Sequence, residues 1–448
     1  MSHYPSYQVS DSSGFPEHWQ AKRLRFAVKL NPSKNEIPLS DSELISFVPM
    51  DAVGEYGGIR LDEDKELGEI GSGYTYFRDN DVVVAKITPC FENGKGAIAK
   101  GLTNECAFGT TELHVLRADL ELLDPDFLFY LTVSDWFRDL GESEMYGAGG
   151  QKRVPEGFIK DLVTGLPPKT EQQAIVGFLN HKTAQIDALI AKKQALLEKL
   201  AEQRTALISQ AVTKGLDPSV PMKDSGVEWL GEIPEGWDVI QIKHLTPVKR
   251  GASPRPIADP KYFDDDGDYA WVRIADVSAS DGFLETTTQR LSDLGASLSV
   301  KMQPGSLFLS IAGTVGKPII TNIKCCIHDG FVYFPSLPEE LKELLYYIFL
   351  SGQPYLGLGK MGTQLNLNTD TVGSIKIARP STSEVNRIVG HIKKVIKSYE
   401  MHKNKIEEAI QKLNEYRAAL ITNAVTGKID VRDFCPNTTT EQKELAHG

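Results

Sequence analysis

The chain has 448 residues, 41% of them hydrophobic and 24% charged, with a net charge of −11. That length predicts roughly two to four domains with ample chain for cores, and the composition excludes a disordered or collagenous chain. Five scattered cysteines with no CxxC pair, no secretory signal and no apolar run near the ~18 residues of a membrane span predict a reducing, cytoplasmic setting.

In chain order, an opening Phe15-Pro16-Glu17-His18-Trp19 leads into a globular part. Val82–Ile87 is a β-rich run, followed by the Gly-rich turn Glu92–Gly96, and Phe127–Phe137 reads as a short helix. Pro167-Pro168 marks a break. No Pro or Gly interrupts Phe178–Thr213, and a helix from about Glu171 to Thr213, with Thr170 as N-cap, would be about 64 Å long. A second opening, Ile233-Pro234-Glu235-Gly236-Trp237, starts a second globular part. Its β-rich runs are Trp271–Ile274 and Leu307–Ile311, with a Gly-rich turn at Gly313–Lys317 and a helix at Leu341–Leu350. Pro380 breaks the chain before a second long helix over 384–426, with Ser383 as N-cap. The end of the chain, 431–448, reads as a flexible tail.

The two long helices are copies. Residues 171–217 align without a gap on 384–430 at a constant offset of 213, with 16 identities in 47 positions. Seven of these fall where Arg204–Thr213 faces Arg417–Thr426. Gln151 falls on Gln364 at the same offset. The chain is therefore a tandem duplication, divided as 1–168, 169–217, 218–380, 381–430 and the tail. In the first helix Leu179, Ile186, Leu200 and Leu207 form a heptad column, with Leu189 and Leu196 in a second. Ile392, Tyr399, Ile406, Leu413 and Leu420 form the equivalent column in the second helix. A long helix with one apolar stripe needs a partner, and the nearest candidate is the other copy. The expected fold is α/β (α+β): two mixed domains in tandem, with two long helices paired as an antiparallel coiled coil about a pseudo-twofold axis.

No catalytic constellation emerges. Gly313-Thr314-Val315-Gly316-Lys317 lacks the first glycine of a phosphate loop and has Pro318 where Ser or Thr belongs. Asp124-Pro125-Asp126-Phe127 has the form of an adenine-methyltransferase tetrapeptide, but Asp124 reads better as an N-cap with Pro125 at the first helical position. Glu63-Asp64-Lys65 has a nuclease-like form without a carboxylate upstream on a strand. The nine histidines are scattered, and His328 reads as a core or surface residue. A duplicated, non-catalytic protein with two spacers is a ruler or an adaptor.

The order of domain, helix, domain, helix resembles the specificity subunit of type I restriction–modification enzymes. So do the two Pro-Glu-x-Trp openings, the stretch Pro167–Val176 and the helix ending Arg204–Gly215. The second copy departs from the pattern at Arg379–Val385. The resemblance implies that each globular part is a target recognition domain reading one half of a split, asymmetric double-stranded DNA site. It implies that the helices set the gap and dock two methyltransferase subunits, which bind the S-adenosylmethionine, and that endonuclease/translocase subunits join them. This chain then holds no cofactor or metal and makes no bond. Two other readings stand beside it: a degenerate methyltransferase or nuclease, and a structural adaptor or decoy without DNA readout.

Neither globular part is basic. Net charge is −11 over 1–168, +2 over 169–217, −4 over 218–380 and +2 beyond, so phosphate neutralisation cannot dominate for the chain alone. Arg and Lys bridge guanine, and Gln and Asn pair with adenine. Such residues in Gly-rich turns are the candidate DNA contacts: Lys86, Thr88, Asn93, Lys95, Gln151, Lys152 and Arg153 in the first domain. In the second they are Arg273, Ser310, Thr314, Lys317, Gln364 and Asn366.

Overall fold

The computed structural model describes Tyr7 and residues 14–71, 73–148, 150–356 and 367–434. It divides into two compact units, one of Met1–Lys193 with Glu407–Gly448, the other of Gln194–Ile406. Among the described residues no helix is long and apolar enough to cross a membrane.

The first unit holds two four-stranded sheets. One runs in the order Val28–Leu30, Leu113–Ala118, Val82–Ala85, Gly96–Ile98, all antiparallel. Val82–Ala85 is buried at every position, so three valines in a row fit a strand covered on both faces. The other sheet runs Asp64–Glu66, Leu44–Val48, Cys106–Gly109, Thr75–Arg78, its central pair parallel. Helix Pro125–Val133 packs on the first sheet. Asp124 caps it, accepting from the amides of Asp126 (2.9 Å) and Phe127 (3.3 Å).

The second unit repeats the plan. Lys249–Arg250, Phe331–Tyr333, Leu307–Ser310, Pro318–Thr321 and Phe283–Leu284 form one sheet. Gln289–Leu291, Tyr269–Val272, Cys325–Ile327 and Val300–Met302 form the other, again with a parallel central pair. In both units the strand after the Pro-Glu-x-Trp opening pairs antiparallel with the strand before the long helix: Gln20–Arg23 with Val163–Leu166, and Asp238–Gln241 with Lys376–Arg379. Each domain thus closes on itself at the base of its helix.

The long helices run Lys169–Lys214 and Thr382–Val425. In the first unit Asp187 meets Arg417 (2.8 Å) and Phe178 meets Phe434 (ring centroids 5.1 Å). In the second, Arg204 stacks on Tyr399 at 4.5 Å, while Lys214 and Gly215 share a small cavity with Arg387 and Ile388. In each unit rising numbers along the first long helix meet falling numbers along the second helix or the chain just beyond it, so the pairing is antiparallel.

Several expectations need correction. Leu179, Ile186, Ile392 and Leu420 are buried, and Leu200, Leu207, Tyr399, Ile406 and Leu413 half-buried. Leu189 and Leu196, however, are 38% and 45% exposed. A position advances about 100° per residue, which puts Ile190 and Leu197 in line with Leu179 and leaves Leu189 and Leu196 some 80–100° round the helix. A seven-residue column also drifts about 20° per heptad, so Ile208, 2% exposed, takes over from Leu207. Thr170 and Ser383 lie inside the first turns. Ser381 is the residue that engages Glu384, donating through its amide (3.2 Å) and hydroxyl (2.7 Å). The helix expected over Phe127–Phe137 breaks at Ser134, whose extended backbone and hydroxyl cap the next helix, Asp135–Ser143. The strand at Trp271 stops at Val272, and Ile274–Ala279 is helical. The start of the tail is packed: Val431 is 7% exposed in the first unit's core and Phe434 lies on Phe178. Residues 435–448 lie outside the described residues.

Candidate nucleic-acid interface

In the first unit, strand Val82–Ala85 runs directly into the Lys86–Lys95 loop. A hairpin from Tyr146 to Arg153 folds against that loop. The Thr88 amide donates to the Lys152 carbonyl (3.0 Å), and the Val154 amide to the Lys86 carbonyl (2.9 Å). Lys86, Thr88, Gln151, Lys152 and Arg153, separated by some sixty residues of sequence, therefore share one edge. Asn93 and Lys95 sit further along the same loop. The Asn93 amide group donates to Glu55 (3.4 Å), and the Lys95 ammonium to the Met50 carbonyl (3.1 Å).

These side chains are not equally available. Arg153 grips Glu112 with two bonds of 2.8 Å, and that hydrogen bonding holds the Glu112 carboxyl below its ordinary value. Arg153 is thus a brace for the hairpin. Gln151 and Lys152 are exposed at its tip, and among the described residues Lys152 has no ion-pair partner.

In the second unit the expected set disperses. Ser310 is fully buried and donates to the Ala312 carbonyl (2.8 Å), so it cannot touch DNA. The Lys317 ammonium donates to the carbonyls of Ser278 (3.2 Å) and Ser280 (2.5 Å), and burial depresses its pKa. It closes the end of helix Ile274–Ala279 rather than presenting a free charge. Thr314 is exposed but bonded to Ser278 (2.6 Å). Arg273 bonds Thr288 and Asp276 and lines an open concavity of about 670 Å³ with Ile257, Trp271 and Gln289. Gln364 and Asn366 lie outside the described residues.

Sequence reasoning passed over Arg250 and Arg255. Both bond Asp329, Arg250 through its carbonyl and Arg255 through its carboxylate (2.9 Å), and the Arg255 side chain remains 78% exposed. The available signal was three cations within Lys249–Arg255 of an otherwise acidic domain. His328 packs between Trp271 (5.9 Å) and Phe331 (4.5 Å), and Gly330 donates to its Nδ1 (2.8 Å), so it is a structural residue beneath this face.

Each unit is moored to its helix by the same contact. Trp19 Nε1 donates to Glu171 (3.0 Å), and Trp237 Nε1 to Glu384 (3.2 Å). The two glutamates are equivalent in the repeat, so the Pro-Glu-x-Trp openings are duplicated latches.

A type I restriction modification DNA specificity domain profile matches residues 234–412, which include the second latch. The chain is 43% identical over 163 residues to the type I restriction enzyme EcoEI specificity subunit of Escherichia coli, covering 36% of this chain and 27% of that protein. It is 24% identical over 457 residues to the MjaVIII specificity subunit of Methanocaldococcus jannaschii, covering 97% and 99%. The chain is thus similar to the specificity subunits of type I restriction enzymes. Two solved structures share the fold of this chain. One, from work on complex assembly and conformational transition of the type I R-M system, has TM-score 0.70 at 18% identity, covering 93% of this chain and 99% of that one. The HsdS subunit from Thermoanaerobacter tengcongensis gives 0.52 at 19%, covering 93% and 98%. The strong local match spans only about a quarter, 27%, of the length of the Escherichia coli EcoEI and EcoAI subunits.

Proposed function

We propose that this chain is the DNA-reading, non-catalytic specificity subunit of a type I restriction–modification complex. Each unit reads one half of a split, asymmetric site, and the helix pair sets the gap. Methyltransferase subunits dock on the helices and hold the S-adenosylmethionine, and endonuclease/translocase subunits complete the assembly. The observation that carries this reading is the pair of equivalent latches, Trp19–Glu171 and Trp237–Glu384. Two related but non-identical readers are each fixed to the start of a stiff helix, which turns spacing into a geometric quantity. Asp124 supports a role without catalysis, because its carboxylate is committed to capping.

A second reading, an adaptor or decoy without DNA readout, is favoured by the acidity of both domains. A methylome separates them. The chain is co-expressed with a methyltransferase subunit from the same locus in a methylation-free host. A gapped two-part adenine motif that vanishes without this chain is expected. A stable complex with no new motif would favour the adaptor.

Within that complex, Lys152→Ala is expected to weaken DNA binding and to reduce the slope of log affinity against log salt by about one. Binding titrations at several salt concentrations check this. An unchanged slope and affinity would remove the hairpin tip from the interface.

A further inference from the structure

We infer that Tyr56 is a positioning residue that locks the first domain's loops onto the second long helix, an inference that rests on the DNA-reading function. Two guanidinium groups lie over its ring, Arg138 at 4.6 Å and Arg417 at 4.5 Å from the centroid. Each cation is attracted by the negative face of the ring's quadrupole. Arg138 Nη2 also donates to the Tyr56 hydroxyl (2.9 Å) and to Asp135 (2.7 Å), while Arg417 is held by Asp187 (2.8 Å). The helix carrying Arg138 is itself tied to the second long helix, since the Asp135 amide donates to the Thr422 hydroxyl (3.0 Å).

The backbone shows that the side chain is what this position requires. Tyr56 has φ 59°, a left-handed conformation that a bulky residue adopts only under constraint from its surroundings. Glycine or asparagine would satisfy that φ more easily, but neither fills the clamp. From Tyr56 the constraint passes to the candidate contacts. Its amide donates to the Gly94 carbonyl (3.0 Å), Glu55 bridges to Lys95, and Asn93 bonds Glu55 (3.4 Å). Gly94 fits tightly here, because a Cβ at that position would stand 2.1 Å from Arg138 Nη1. Arg204, the repeat equivalent of Arg417, stacks instead on Tyr399 of the long helix. The device therefore belongs to the first domain, and its loss should be felt in one half-site.

The test compares Tyr56→Asn, which tolerates the left-handed backbone, with Tyr56→Phe, which keeps the ring. Hydrogen exchange is measured on the full chain, and methylation motifs on the assembled complex. Tyr56→Asn is expected to speed exchange of the Gly54, Tyr56 and Gly96 amides about tenfold, with Tyr56→Phe closer to the parent. It is also expected to raise methylation at sites mismatched in one half of the motif about tenfold, leaving the other half unchanged. Unchanged exchange in Tyr56→Asn would overturn the anchor. Faster exchange with the motif intact, or with both halves degraded equally, would overturn its specificity role. A parent complex with no gapped motif would overturn the DNA-reading function, while the exchange data would still decide the anchor.

Discussion

Replacing Asp81 by alanine is expected to destabilise the first unit by about 3–5 kcal/mol, the cost of stripping a buried charge of its partner. Asp81 is fully buried. It accepts two parallel bonds from Arg117, both 2.7 Å, and a third from the Arg78 amide (2.9 Å). The Arg117 side chain is only 12% exposed, and it also pairs with Glu36 and lies over the Tyr76 ring (5.9 Å). Asp81 precedes the central strand Val82–Ala85 and Arg117 lies on the neighbouring strand, so the pair fixes the sheet from which the candidate loop Lys86–Lys95 emerges. At about 2–4 °C per kcal/mol for a unit of this size, calorimetry should show that unit's transition roughly 6–20 °C lower. The double variant Asp81→Leu with Arg117→Met should recover much of the loss, because no lone charge is left buried. A drop below about 2 °C in the single variant, or a double variant worse than the single, would refute this.

Trp237→Ala is expected to cost the second unit about 3–5 kcal/mol, the range for emptying a buried aromatic site. Trp237 is 2% exposed and packs in the core with Ile208 and Val212 of the first long helix and Val385 and Ile388 of the second. Gly215, at φ 72°, turns the chain past the ring so closely that a Cβ there would sit 3.2 Å from it. Trp237→Phe keeps most of the apolar contact and loses the bond to Glu384, so it should cost far less, about 1–2 kcal/mol. Separate melting of the second unit measures both variants. If alanine and phenylalanine cost the same, the hydrogen bond to Glu384 carries the latch; the larger loss in alanine assigns it to packing.

The sequence was most informative where a signal repeats. The helices were legible because a heptad pattern runs through dozens of residues and recurs 213 positions later. The latches were visible as paired Pro-Glu-x-Trp openings, although their glutamate partners were not. A bond between residues 19 and 171 leaves no local trace in composition or spacing. Seam assignment failed at Leu189 and Leu196 for a geometric reason: they stand some 80–100° round the helix from Leu179, where Ile190 and Leu197 are in line.

The candidate site was legible only as chemistry. Lys152 and Gln151 were named from their turn, and folding left them exposed at a hairpin tip. Ser310 and Lys317 were named by the same rule, yet one is buried and the other is bonded to two carbonyls. Arg250 and Arg255 were passed over, and both are bonded to Asp329. A side chain's donor set belongs to its residue type and can be read from one position. Whether those donors face solvent, a carboxylate or a carbonyl depends on groups brought in from elsewhere in the chain. The sequence alone thus determined the duplication and the two helices. The tertiary structure decided which polar groups remain free to bind, because burial and pairing are properties of neighbours distant in sequence.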